Sequence, residues 1–283
     1  MFTIQNKIKK EFDIAIMLAT RGRTDSLYRS LMSLINRARH LDQVEFFLAF
    51  DNDDDIGWNY WNDKIKQELD QRDVNYTVLR FDRLGYANLH MYFHKIMPET
   101  NSDWLVIWND DAIMETQNWD RLICKHTGQF KLLAFRTHRD HPYSIFPIFP
   151  REWFEVLGHA SQHHLSDAWL SQIAYIIDCF ERAEIWVTHD RHDLTGNNYD
   201  ETYKGRVVLE GNPQRPGDFH HMDITRLRHI DASMLAEWLG QQGNDISFFV
   251  NVREGRQDPW EKLKLNDINN QMKQWGVTYF DTK

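Results

Sequence analysis

The chain has 283 residues and a formal net charge of −9, with 42% of its residues apolar and 13% aromatic. This length and apolar content suit one large α/β domain, or one such domain with a helical appendage, and they exclude a disordered chain. The negative charge argues against binding to nucleic acid or to anionic membranes, because those surfaces are held by a broad excess of Lys and Arg. We therefore expect any acidic ligand to bind locally.

Cysteine use and apolar runs bear on the cellular compartment. Cys124 and Cys179 lie far apart, so neither a disulfide framework nor a cysteine-based zinc site is indicated. The N-terminal residues lack the apolar segment of a signal peptide. No apolar run approaches the roughly 20 residues that a membrane helix requires. These features predict a cytoplasmic protein without a transmembrane anchor.

The first part of the chain alternates predicted strands and helices. Residues 12–19 form a short apolar run, typical of a strand buried on both faces, and apolar residues at helical spacing follow from Leu27 to Ala38. The next predicted strands cover residues 44–50, 74–80 and 104–108, with a helix in each interval. This alternation predicts a mostly parallel sheet with helices on both faces.

The second part of the chain is less regular. Pro142, Pro147 and Pro150 disfavour a long central strand and favour irregular or antiparallel strands. An amphipathic helix is predicted after Ser166, and residues 184–188 give one more strand. A loop and a helical tail are predicted beyond it.

Polar clusters follow three of the predicted strands. Thr20-Arg21-Gly22-Arg23 follows the first strand, Asp51 to Asp55 follows the second, and Asn109-Asp110-Asp111 follows the fourth. Ligands of α/β sheets bind outside the carboxyl ends of the strands. The sequence therefore predicts a ligand site at this edge of the sheet.

The order of these clusters, with a helix start at Gly85-x-x-Asn88, resembles the GT-A glycosyltransferases, family 2 most closely. The resemblance covers about residues 12–205 and rests on the order of short motifs. It implies an α/β fold of the GT-A (Rossmann-like) type, with a catalytic domain at residues 1–205 and a mobile loop and helical C-terminal extension at residues 206–283. It also implies an inverting enzyme. The enzyme is expected to be non-processive, because the Gln-x-x-Arg-Trp motif of the processive members is missing.

By this resemblance, the strand ends bind a nucleotide-sugar donor, with a UDP-sugar favoured. The residues implicated in nucleotide binding are Thr20, Arg21, Arg23, Asp51, Asn88, Asn109 and Asp110. The alternative is that Arg21 and Arg23 are solvated loop charges and that the acidic run is an exposed turn. Asp53 to Asp55 are expected to face the solvent.

Asn109-Asp110-Asp111 resembles the Asp-x-Asp motif of the family, with Asn109 in place of the usual first acid. The resemblance assigns Asp111 as a ligand of Mn²⁺ or Mg²⁺, and such hard cations prefer oxygen ligands. His189 and His192 follow the last predicted strand, where related enzymes supply a histidine to the metal. Their spacing is also compatible with zinc, although no third soft ligand lies nearby in the sequence.

Asp167, at the start of a predicted helix, is the candidate general base. Inverting members of the family use an aspartate at a comparable position to deprotonate the hydroxyl of the acceptor, which is a saccharide or another hydroxyl compound. The alternative is structural, because the helix dipole and the free N–H groups of a first turn favour an acidic residue there.

Two other functions are compatible with the sequence. A nucleotidyltransferase acting on sugar phosphates would also bind a nucleotide and a metal at strand ends, but Thr20-Arg21-Gly22-Arg23 matches its glycine-rich signature poorly. A non-catalytic carbohydrate-binding module would account for the many aromatic residues, but not for the ordered acidic strand ends.

Overall fold

The computed structural model describes residues 2–3, 12–137, 141–191, 195–196, 204 and 218–261. The strands are β1 (Phe2–Thr3), β2 (Ile14–Thr20), β3 (Val44–Asp51), β4 (Asn75–Phe81), β5 (Trp104–Asn109), β6 (Ala112–Met114), β7 (Gln129–Phe130), β8 (Leu132–Arg136), β9 (Pro147–Pro150) and β10 (Phe180–His189). The α-helices are α1 (Thr24–Arg37), α2 (Asp55–Tyr60), α3 (Lys66–Gln71), α4 (Leu89–Ile96), α5 (Trp119–Cys124), α6 (Arg151–Leu157), α7 (Ser166–Ile176), α8 (Met222–Gln241) and α9 (Ser247–Arg253). A π-helical turn at Trp61–Ile65 joins α2 to α3.

The main sheet of the described residues has eight strands in the order β4-β3-β2-β5-β9-β8-β10-β6. The first four are mutually parallel. Strand β9 is antiparallel to both of its neighbours, β8 and β10 are parallel, and β6 is antiparallel to β10. Thr20 is in register with Phe50, and Ala19 with Asn109. The polar segments that follow β2, β3 and β5 therefore meet at one edge of the sheet.

The sequence predicts most of these elements correctly. The strands predicted at residues 12–19, 44–50, 74–80 and 104–108 are confirmed as β2 to β5, with bounds that differ by one or two residues. The strand predicted at residues 184–188 is the second half of the longer β10. Strand β9 is short, as its prolines predict, but it lies in the middle of the sheet rather than at an edge.

Alternating residues of the central strands build a core on each face of the sheet. Ala15 and Met17 belong to the core beneath α4, α6, α7 and α8. Ile14, Ile16 and Leu18 belong to the core beneath α1, α3 and α5. This arrangement explains the continuous apolar run of β2, because a strand covered on both faces has no solvent-exposed positions.

The C-terminal helix α8 packs directly on α7. Leu235 and Leu239 are fully buried in the same core as Trp169 of α7. The indole Nε1 of Trp169 also donates a hydrogen bond to Asp231 Oδ2 at 2.9 Å. Asp167 lies two residues before Trp169, so α8 supports the helix turn that carries the candidate base.

Several predictions fall on residues that the structure does not describe. One of them is the metal ligand predicted at His192, and another is most of the mobile loop predicted at residues 195–220. The part of the predicted helical tail beyond residue 261 also lies outside the described residues. Among the helices that are described, none is long and apolar enough to cross a membrane.

A cluster of histidines lies between α4 and the segment that precedes α7. The ring centroid of His94 is 5.4 Å from that of His90 and 5.8 Å from that of His159. Burial, together with the neighbouring imidazoles, lowers the pKa of His90 and of His159 to about 4, and burial lowers that of His94 as well. The folded protein therefore keeps these rings neutral at a pH where exposed imidazoles bind protons.

We expect the free energy of unfolding to fall as the pH drops from about 6.5 to about 4. The unfolded chain binds protons near the ordinary imidazole pKa of about 6.5, whereas His90 and His159 of the folded protein bind them only near pH 4, so acid favours unfolding in this interval. Replacing His90 with phenylalanine, which cannot bind a proton, should reduce the loss between pH 7 and pH 4.5 by about 1–2 kcal/mol in urea unfolding. His40→Asn, at an exposed histidine, is the control. Equal losses in wild type and H90F would contradict the assignment.

Candidate active site

A cleft opens at the carboxyl ends of β2, β3 and β5. Among the described residues, nine of the predicted site residues line it: Thr20, Arg21, Arg23, Asp51, Asn109, Asp110, Asp111, Asp167 and His189. The parallel register of the strands brings the first seven together. The N-terminal turn of α7 and the end of β10 add the last two.

The two adjacent aspartates are buried and are bridged by one guanidinium group. Arg23 Nη1 donates to Asp110 Oδ1 at 2.9 Å and to Asp111 Oδ2 at 3.0 Å. Thr20 Oγ1 donates to Asp110 Oδ2 at 2.8 Å. Arg23 is therefore a fixed part of the site and not a solvated loop charge.

The surroundings of Asp110 and Asp111 shift the pKa values of the two carboxyl groups in opposite directions. Burial raises the pKa of Asp110, because it outweighs the opposing charge of Arg23. Burial alone would also raise the pKa of Asp111, but the His189 imidazole and Arg23 outweigh it and keep this pKa below its ordinary value. Asp111 is thus the carboxylate whose negative charge the site favours.

Strand β10 brings His189 to Asp111. His189 is in register with Ala112 of β6, and the backbone N–H of Asp190 donates to the carbonyl oxygen of Asp111 at 2.7 Å. His189 Nε2 lies 3.2 Å from Asp111 Oδ1. Both atoms are buried, and within the described part of the chain neither has a partner with hydrogen-bond geometry.

These two facing atoms, neither of which has a partner with hydrogen-bond geometry, fit a divalent cation. Two ligands at about 2.1 Å from an octahedral ion and at right angles to each other lie about 3 Å apart, close to the observed separation. Carboxylate oxygen and imidazole nitrogen are both ligands of first-row divalent metals. The described residues contain no group of three or more His, Cys, Asp or Glu side chains that could hold an ion, so a ligand phosphate and water would have to complete the coordination.

Asp51 is held at both of its oxygen atoms. Arg21 Nη1 donates to Asp51 Oδ2 at 3.1 Å, and the hydroxyl of Tyr92 donates to Asp51 Oδ1. Arg21 also binds Asp53 through two hydrogen bonds, of 2.5 and 3.1 Å. The loops after β2 and β3 are thereby tied together at the mouth of the cleft.

The prediction that Asp53 to Asp55 all face the solvent is wrong for Asp54. Asp54 is buried and accepts hydrogen bonds from Gly57 N at 3.1 Å and from Gly22 N at 2.9 Å. A Cβ atom at Gly57 would lie 2.2 Å from Asp54 Oδ2, so the close approach requires glycine. The signal was present in the sequence, because an aspartate three positions before a backbone N–H in the first turn of a helix is a common N-cap.

Comparison with known proteins locates this fold. No protein-family model matches the chain, and no curated protein matches it in sequence. The structure is similar to the mannosyltransferase PcManGT from Pyrobaculum calidifontis in complex with GDP-Man and Mn²⁺, with a TM-score of 0.54, 10% identity, and coverage of 92% of this chain and 87% of that chain. The chain therefore has the GT-A fold. S. aureus TarS 1-349 in complex with UDP-GlcNAc is also similar, with a TM-score of 0.48, 12% identity, and coverage of 80% of this chain and 72% of that chain.

Asp167 is among the described residues that line the cleft, whereas Asn88 is not. Asp167 is half-buried in the first turn of α7 and faces the cleft. Asn88 is exposed, and its Nδ2 donates to the carbonyl oxygen of Leu84 at 3.0 Å. It closes the turn before α4 and is not among the described residues that line the cleft.

Sequence reasoning missed several residues that line the cleft. They are Arg83, Tyr86, Tyr92, His164 and Arg191. The first three follow β4, a strand that is predicted correctly but after which only Asn88 received a functional assignment. His164 and Arg191 are each within three residues of a predicted site residue, so proximity in the sequence was the available signal.

Proposed function

We propose that this protein is a glycosyltransferase that transfers one sugar from a nucleotide-sugar donor to a hydroxyl group of an acceptor. The observation that carries the proposal is the meeting of three groups in one cleft of a GT-A fold. Asp111 Oδ1 and His189 Nε2, which face each other at 3.2 Å without hydrogen-bond geometry, offer a divalent cation site, and Asp167 faces the same cleft from the start of α7.

The donor nucleotide would lie along the ends of β2 and β3. Asp51 and Arg21 are fixed there by mutual hydrogen bonds and would bind the base and ribose. Between this region and Asp111 the cleft would be lined by three side chains that hydrogen bonds hold together: Thr20, Arg23 and Asp110. A UDP-sugar is our first expectation, and a GDP-sugar is the alternative because the PcManGT complex contains GDP-Man.

Asp111 Oδ1 and His189 Nε2 would hold Mn²⁺ or Mg²⁺, with phosphate oxygens of the donor as further ligands. Such an ion neutralises negative charge that develops on the diphosphate leaving group. Arg23 supports this role, because it occupies Asp111 Oδ2 and so directs Oδ1 toward His189. Mn²⁺ is the first ion to test, since it is present in the PcManGT complex.

Asp167 would act as the general base. It would accept the proton of the acceptor hydroxyl as the hydroxyl oxygen forms a bond to the anomeric carbon of the donor sugar. The bond from that carbon to the diphosphate oxygen breaks, and its electron pair leaves with the nucleoside diphosphate. Attack on the face opposite the leaving group inverts the anomeric configuration.

The proposal is tested by incubating the protein and Mn²⁺ with UDP- and GDP-sugars and a panel of glycan acceptors, while the release of UDP or GDP is measured. Acceptor-dependent release is the expected result. Formation of a nucleotide sugar from a nucleoside triphosphate and a sugar 1-phosphate would support a nucleotidyltransferase instead. Binding of glycans without any nucleotide binding would support a carbohydrate-binding module.

A further inference from the structure

Tyr92 connects Asp51 to the loop that precedes α4. Tyr92 belongs to α4, and its side chain is buried and borders the cleft. The hydroxyl donates to Asp51 Oδ1 and accepts a hydrogen bond from the backbone N–H of Leu84 at 3.1 Å. The ring packs edge-on against Phe81, with the centroids 6.0 Å apart. Both the ring and the hydroxyl are therefore fixed in orientation.

The hydroxyl keeps its proton over the physiological range. Burial and the adjacent Asp51 carboxylate raise the pKa of Tyr92 to about 12. A neutral hydroxyl donates one hydrogen bond and accepts others, which matches its two partners. Tyr92 is thus a permanent donor to Asp51.

The hydrogen-bond acceptor sites that remain on the Asp51 carboxylate restrict which ligand groups it can bind. An ionised carboxylate has about four lone-pair sites and no proton to donate. Among the described residues, Tyr92 and Arg21 take one site on each oxygen. A ligand group that meets Asp51 must therefore donate a hydrogen bond.

Nucleobases differ in what they present to such an acceptor. Uracil and guanine carry a ring N–H on the edge used for base pairing. Cytosine and adenine carry a ring nitrogen lone pair at the equivalent position, which would face a carboxylate oxygen without a shared proton. Their exocyclic amino groups can also donate to a carboxylate, but only to one that turns away from the ring lone pair. A carboxylate that is held facing the ring position therefore favours the first pair over the second.

Resting on the proposed function, we infer that Tyr92 is a positioning residue that fixes the Asp51 carboxylate to receive the ring N–H of uracil or guanine. Tyr92 acts through Asp51, and it selects against adenine and cytosine by preventing the carboxylate from turning away. Without the hydroxyl, only Arg21 still holds the carboxylate, through Oδ2, so Oδ1 can turn about that contact. The Leu84 N–H also loses its acceptor.

The test is a double-mutant cycle read by calorimetric titration with UDP, GDP, ADP and CDP in the presence of Mn²⁺. Wild type should bind UDP or GDP at least about 10-fold more tightly than ADP and CDP. Tyr92→Phe should lower the affinity for the preferred nucleotide by about 5- to 30-fold and reduce the affinity ratio between this nucleotide and ADP or CDP. In the Asp51→Ala background, the same Tyr92 replacement should have no further effect, because its target is already missing.

Tyr175→Phe is the matched control. It removes another buried hydroxyl, one that donates to the carbonyl oxygen of Pro142 at 2.7 Å, and it should leave nucleotide affinity unchanged. Unfolding curves show whether each variant is folded. If wild type binds nucleotide but Y92F binds it equally well, or if Y92F has the same effect with and without Asp51, the role of Tyr92 is refuted while the proposed function stands. If wild type binds none of the nucleotides, both fail.

Discussion

Replacing Asp167 with asparagine should lower kcat for sugar transfer by about 10²- to 10⁴-fold and leave the affinity for the donor nucleotide unchanged. The amide keeps the size and the hydrogen-bond acceptor of the carboxylate but cannot take a proton. The interaction that is lost exists only while the acceptor hydroxyl is being deprotonated, so the effect falls on kcat. Initial rates of nucleoside diphosphate release and a nucleotide titration measure the two quantities.

The structural alternative for Asp167 makes a different prediction. If the carboxylate only stabilises the first turn of α7, asparagine should lower the melting temperature and leave kcat intact. Asp55→Asn is the matched control, because Asp55 lies in the first turn of α2 and outside the described lining of the cleft. Normal turnover in D167N would remove Asp167 from the mechanism.

Replacing Asp111 with asparagine should abolish the effect of Mn²⁺ on nucleotide binding and lower the transfer rate by about 10²-fold or more. Wild type is expected to bind the nucleotide more tightly with Mn²⁺ than without it. In D111N the amide can still accept the hydrogen bond from Arg23, but the negative charge that faces His189 is lost. Titrations with and without Mn²⁺ give the metal-dependent part of the affinity directly.

Asp53→Asn serves as the control for this experiment. Its carboxylate is also paired with an arginine that lines the cleft, but its side chain is 55% exposed and is not among the described residues of the lining. It should keep the full response to Mn²⁺. An unchanged response in D111N would show that the ion is bound elsewhere or that the enzyme does not use one.

The sequence predicts the sheet well because its signals there are local. The apolar run at residues 12–19 predicts a strand that is buried on both faces, and in the structure helices cover both faces of the sheet there. The polar clusters at Thr20, Asp51 and Asp110 meet because the strands before them are parallel and β2 lies between β3 and β5. The parallel arrangement follows from the alternation of strands and helices, whereas the strand order is seen only in the structure.

The details of the site depend on contacts that sequence patterns do not encode. His189 reaches Asp111 because β10 pairs with the three-residue strand β6, a pairing across more than 70 positions with no periodic signal. Asp54 and Asn88 both lie in turns, where the direction of a side chain is set by the backbone and not by spacing. Asp54 is buried as a helix cap, and Asn88 binds the carbonyl oxygen of Leu84 and is not among the described residues that line the cleft. The sequence does not reveal the role of Tyr92 either, because an aromatic residue on the apolar side of an amphipathic helix is usually part of the core.

Calorimetric titration of the purified protein with UDP and with GDP, each in the presence and absence of Mn²⁺, tests the transferase proposal most directly. We expect at least one of the two nucleotides to bind with micromolar affinity and Mn²⁺ to strengthen this binding. Absence of binding to either nucleotide under all four conditions would contradict the transferase proposal and favour a carbohydrate-binding module.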